Sequence, residues 1–146
     1  MQLIRSTIVV VNDEPGYLTL MDALLHDAGY PTVIGVESPK AYDTIARAQP
    51  DIIILDIRLD QPAIGWRVLD LLRLDPATAS IPVILCCTDA RLCHEKRATL
   101  TEQRCIILEK PFFLSDLLAT IGTALRWGRD NQIELPRLRA RRAGTT

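Results

Sequence analysis

At 146 residues the chain has room for one ordinary domain, and its 48% hydrophobic content is enough to fill a core. A formal net charge of -1 gives no overall attraction to nucleic acid or to an anionic membrane. No apolar stretch approaches the ~20 residues that span a bilayer, and the opening "MQLIRS" lacks a signal-peptide layout, so a cytoplasmic protein is expected.

Apolar runs then alternate with helical patterns. "TIVVVN" reads as a buried strand that stops abruptly on Asn12, Asp13 and Glu14, three polar groups that must be solvated or paired. A helix follows, with Leu18, Met21, Leu25 and Ala28 near helical spacing, and "AGYP" ends it. "TVIGV" is a short second strand. In "SPKAYDTIARAQ" Ser38 is the expected cap and Pro39 the first helical position. "DIIILD" is the third strand, "WRVLDLLRL" the third helix and "IPVILCC" the fourth strand. "DARLCHEKRATLTEQ" reads as one poorly amphipathic helix, "RCIILE" as a fifth strand, and "SDLLATIGTALRW" as a last helix with Leu117, Leu118, Ile121 and Leu125 on one stripe.

The strands are apolar throughout instead of alternating, which implies burial on both faces and hence a parallel sheet with helices on either side. Sites in such α/β folds lie at the carboxyl ends of the strands. Those ends carry Asn12-Asp13-Glu14, Asp56, Cys87-Thr88-Asp89 and Glu109-Lys110-Pro111. Carboxylates crowded at one edge repel and suit a hard divalent cation with oxygen ligands, and a lysine opposite them supplies a point charge for an anion. The four cysteines, Cys86, Cys87, Cys93 and Cys105, form no CxxC pair and are read as small buried hydrophobes, not metal or disulfide partners. His26 and His94 stand alone and are given no role.

Over roughly residues 5 to 128 the chain resembles the receiver domain of two-component response regulators, through "VVNDEP", "PDIIILDIRL", "IPVILCCTDA" and "LEKPF" in order. The resemblance implies a flavodoxin-like fold, a five-stranded parallel sheet of order 2-1-3-4-5 doubly wound with five helices. It implies Asp56 as phosphoacceptor for a sensor histidine kinase or phosphotransfer protein, and Mg2+ held by Asp13, Asp56, the backbone carbonyl of Arg58 and, through water, Asn12. It also implies Lys110 as the phosphoryl contact, a cis Lys110-Pro111 bond, and a switching Ser/Thr whose place is taken by Cys87, with Thr88 one residue later. A downstream protein target would dock on the fourth helix, fifth strand and fifth helix. Neither nucleic acid nor membrane is expected as a partner, and a homodimer is compatible with the pattern.

Several residues depart from the family. Asn12 stands where the first acid is usual, which predicts weaker Mg2+ binding; a register in which Asp13 and Glu14 form the acid pair would displace Pro15. A thiol at Cys87 is a poor donor to a phosphoryl oxygen, so either Thr88 substitutes or the coupling weakens. Ile107 replaces a switching aromatic. The loop "IRLDQPAIG" is one residue longer than the commonest form, with Asp60 at its usual proline; this is either tolerated variation or a means by which Asp60 or Arg58 alters phosphate lifetime. Residues 1–128 are thus expected to be the receiver and 129–146 a basic, mobile tail, too short for a DNA-binding output domain. The alternative is a pseudo-receiver, an interaction domain no longer regulated by phosphorylation because of Asn12 and Cys87. A metal-dependent phosphatase on a related fold is the less favoured expectation, since the sequence offers no cap domain and Arg58 stands where the second acid, two residues after Asp56, would be.

Overall fold

Strands and helices alternate along the chain in the computed structural model, which describes residues 6–58 and 60–127. The order is β1 (Thr7–Val11), α1 (Pro15–Asp27), β2 (Thr32–Val36), α2 (Ser38–Ala48), β3 (Ile52–Ile57), α3 (Pro62–Leu74), β4 (Val83–Cys87), α4 (Ala90–Glu95), α5 (Arg97–Glu102), β5 (Cys105–Glu109) and α6 (114–127). All neighbouring strands pair in parallel, in the order β2-β1-β3-β4-β5. The expected sheet and topology are therefore present. The basic segment 129–146 lies outside the described residues.

Unbroken apolar strands are required here because each residue of a central strand meets a helix layer whichever way it points. Val9, Val11, Ile53, Leu55, Val83 and Leu85 face α2 and α3, against Ala41, Ile45, Val68, Leu69 and Leu72. Their neighbours Ile8, Val10, Ile52, Ile54, Ile84 and Cys86 face the other layer, against Met21, Leu25, Leu117, Ile121 and Ala124 of α1 and α6. β2 and β5 form the edges and are only partly buried. Asp51 closes the start of the sheet by accepting the Thr7 backbone N–H at 2.8 Å.

Two helices differ from the pattern expected. α3 starts four residues before the apolar periodicity, at Pro62, because proline suits the first turn, where its missing N–H costs nothing. The fourth predicted helix is two six-residue helices divided at Lys96, whose φ of -96° and ψ of 1° interrupt the helical path. Among the described side chains of this segment only Cys93 and Leu100 are core residues, so little apolar surface holds it to one axis. The Lys96 ammonium lies 5.2 Å from the centroid of the Trp66 ring, which favours that corner electrostatically.

The turn that leads from α3 to β4 is secured by Thr78, fully buried, whose hydroxyl donates to the Leu72 carbonyl at 2.7 Å. That carbonyl belongs to the last turn of α3, where acceptors lack helical partners. Thr78→Val keeps the shape but removes the donor and should lower stability by about 1–2 kcal/mol. Urea unfolding checks this; an unchanged midpoint would show that water or a shift of the turn replaces the bond.

Candidate functional site

Parallel register brings the polar strand ends to one edge. β1 pairs Val11 with Val36 of β2 and with Leu55 of β3, so the residues that follow, Asn12, Glu37 and Asp56, lie side by side. Asn12 N–H donates to Val36 O at 3.0 Å and continues the β1–β2 ladder by one step. On the other side of β3, Asp56 is in register with Cys86, and Cys87 with Glu109. Lys110 N–H donates to Cys87 O at 2.9 Å, which anchors the start of the cis Lys110-Pro111 bond, present as the resemblance implied. A cleft at this edge is lined by Asn12, Asp13, Ser38, Asp56, Arg58 and Gln61.

Each acidic group in the cleft already has a protein partner. Asp56, its side chain 11% exposed, is in direct contact with Lys110 Nζ through Oδ1. Lys110 Nζ also lies 5.9 Å from the centroid of the Tyr17 ring on α1. Asp13 accepts two hydrogen bonds from one residue, Ser38 N at 2.7 Å on Oδ1 and Ser38 Oγ at 3.0 Å on Oδ2. Asn12, 7% exposed, accepts the Glu14 N–H on Oδ1 at 2.9 Å, a local turn that fixes its amide. Arg58 forks onto Asp60 with bonds of 3.1 and 2.9 Å, and this pairing raises the guanidinium pKa further and lowers that of Asp60.

The surrounding groups keep negative charge confined to the carboxylates. Burial pushes the Tyr17 phenol up to about 12, with Cys86 and Asp56 adding to the rise. Burial likewise pushes the Cys86 thiol up to about 12, Lys110 opposing and Asp56 reinforcing. Both are neutral at pH 7, so no thiolate is available to a soft metal. The donor set is all oxygen: Asp13, Asp56 and the Asn12 amide. Among the described residues no three His, Cys, Asp or Glu side chains converge into a metal cage. A cation that keeps most of its water and takes one or two carboxylates, as Mg2+ does, fits this chemistry.

The remaining candidates lie one step away. Cys87 and Thr88 border a neighbouring cleft with Ile57, Arg58, Trp66 and Leu92. Here the reading of four free cysteines needs correction: Cys86 and Cys105 are free and buried, but Cys87 is bonded to Cys93. In that state Cys87 has no proton to donate, and its 3.4 Å approach to Asp89 O is a contact, not a hydrogen bond. Six residues of separation hid the pair; the return of α4 over the end of β4 brings the two sulfurs together. The expected capping by Ser38 also needs correction. α2 begins at Ser38 with Glu37 as its N-cap, and the Ser38 hydroxyl is turned to Asp13. Sequence reading passed over Ser38 as a site residue, and Tyr17 with it, because only the fold places α1 and the start of α2 beside the strand ends.

A family model for the response regulator receiver domain matches residues 8–122. The DNA-binding dual master transcriptional regulator RpaA of Synechocystis sp. is 30% identical over 119 residues, 82% of this chain and 48% of that protein. Protein Rrf1 of Nitratidesulfovibrio vulgaris is 28% identical over 118 residues, 81% of each chain. The chain spans about half the length of several curated relatives that it matches. In fold it is similar to the crystal structure of the Vibrio cholerae chemotaxis protein CheY4, with a TM-score of 0.69 over 82% of this chain and 98% of that one, at 22% identity.

Gly65, in the second turn of α3, lets the helix approach the strand end that carries Asp56. A Cβ there would meet the Asp56 carbonyl oxygen at 3.1 Å and the Ile57 side chain closer still. Gly65→Ala should cost about 1 kcal/mol net, overpacking outweighing the gain in helix propensity, and should shift the Asp56 and Ile57 amide resonances. An unaltered urea midpoint with unmoved amides would show that this contact does not hold the strand end.

Proposed function

This chain belongs to the response regulator receiver family, and from that membership we propose that it is a phosphoacceptor in a two-component phosphorelay, taking its phosphoryl group on Asp56 from a histidine kinase or phosphotransfer protein. The observation that carries this reading is the contact of Lys110 Nζ with Asp56 at the end of a central strand, in the edge cleft that Asp13 also lines. A carboxylate so placed lines the cleft and lies close enough to a cation to be neutralised.

In the reaction an Asp56 oxygen bonds to phosphorus while the phosphorus–nitrogen bond of the partner's phosphohistidine breaks, its electron pair leaving with the imidazole. Lys110 moves its charge from the carboxylate to a phosphoryl oxygen. Asp13, Asp56, the Arg58 carbonyl and, through water, Asn12 would hold Mg2+, which supplies further neutralisation of the phosphoryl charge. Thr88 is the hydroxyl nearest in sequence to the switch position, and with Cys87 bonded to Cys93 it is the group left to sense the phosphoryl oxygen. The protein acts only on its own aspartate: transfer leaves an acyl phosphate and the donor's free imidazole, and a later attack of water on phosphorus breaks the Asp56 oxygen–phosphorus bond and releases phosphate. A shift of the surface formed by α4, α5, β5 and α6 would then pass the signal to a downstream protein, in the cytoplasm.

Two measurements follow. With Mg2+ and acetyl phosphate the intact mass should rise by one phosphoryl group, and Asp56→Asn should abolish the gain; no adduct where a control receiver reacts would leave the pseudo-receiver reading. Replacing Asn12 by Asp adds one charge near the cation and should tighten Mg2+ binding about thirtyfold, since a unit charge about 4 Å from a divalent cation gains about 2 kcal/mol in water. Equal affinities would show that Asn12 does not face the ion.

A further inference from the structure

We propose that Ser38 is a positioning residue for the metal-binding carboxylate, holding Asp13 in the rotation that faces Asp56 and thereby linking cation binding to the start of α2; this rests on the phosphoacceptor reading above. A helix N-terminus needs acceptors for its free N–H groups, and Asp13 supplies one by taking Ser38 N–H at 2.7 Å. That bond alone satisfies the Ser38 N–H. The second bond, from Ser38 Oγ to Asp13 Oδ2 at 3.0 Å, relieves no backbone group, so its effect falls on the carboxylate.

A carboxylate offers about four lone-pair positions, two per oxygen. Ser38 occupies one on each oxygen and leaves one on each for the cleft that Asp13 lines with Asp56. Held at both oxygens, the group cannot turn about its terminal torsion without breaking one of the bonds. Hydrogen bonds of this kind to a metal-ligating carboxylate are worth ten- to a hundredfold in affinity. They matter more where the donor set is thin, and here the neighbouring acid is replaced by Asn12, whose oxygen is already bonded to Glu14 N. The β1–β2 pairing fixes the geometry: beyond Val11 and Val36 the next residues but one are Asp13 and Ser38.

The test is Mg2+ titration of the full chain followed by amide NMR, alongside thermal unfolding of the metal-free protein. Ser38→Ala should weaken Mg2+ binding about tenfold, and Ser38→Thr, which restores the hydroxyl, should return it to within about twofold of the native value. An Ser38→Ala variant that stays folded and binds Mg2+ like the native chain overturns the proposal, as does one that loses thermal stability with no change in affinity, since the residue would then serve only the helix. Failure of Ser38→Thr to rescue a weakened site overturns it too. If the native chain shows no saturable Mg2+ response, it is the phosphoacceptor reading that fails, and the two failures are told apart.

Discussion

Parallel pairing sends every strand of this sheet in one direction, so all five carboxyl ends, and the polar residues that follow them, lie along a single edge. The rest of the molecule depends on that constraint. A ladder of buried valines and isoleucines sets the register, and the register sets which polar groups meet: Asp13 beside Ser38, Asp56 in line with Cys86, Lys110 tied to the end of β4. Slipping one strand by a residue would exchange the two buried faces of that strand and separate the edge groups together. Packing in the two helix layers is therefore also the force that assembles the site, although none of the packed side chains takes part in its chemistry.

Charge at the edge is balanced locally and by partners that can change. Asp56 rests against an ammonium on a flexible stem, Asp13 against the N–H and hydroxyl of Ser38, and Arg58 against Asp60. Lysine differs here from a guanidinium in carrying a compact charge on a flexible stem that can shift without a fixed fork. Tyr17 and Cys86 stay neutral beneath the site, so the potential there is governed by the two carboxylates and the cations facing them.

Two of the departures from the family, Cys87 and Ile107, lie on β4 and β5. Cys87, bonded to Cys93, ties the end of β4 to α4, while Lys96 breaks the helical segment just beyond. Ile107 is packed with the α2–α3 side of the core, and as an aliphatic residue it has no ring to swing. Thr88 is exposed at the rim of the neighbouring cleft with Trp66.

The parallel sheet was legible in the sequence because burial on both faces leaves a one-dimensional trace: "VVV", "IIIL" and "VILCC", each followed by polar residues, read as central strands whose ends share an edge, while the strand order 2-1-3-4-5 came from the resemblance to receivers. Asn12, Asp13, Asp56 and Lys110 were legible for the same reason, being strand-end residues set by chain position. The misread features all depend on how segments turn back in space. Whether Ser38 caps its own helix or serves Asp13, 25 residues earlier, is a choice between two acceptors that spacing cannot rank. Whether Cys87 meets Cys93 depends on the path of α4, and whether "DARLCHEKRATLTEQ" is one helix or two depends on what lies beneath it. Local pattern determined the elements and the edge residues, because hydrophobic burial acts on every residue of a strand alike; tertiary structure decided the hydrogen-bond and sulfur partners, because those bonds require two distant groups to arrive within a few ångströms at the right angle.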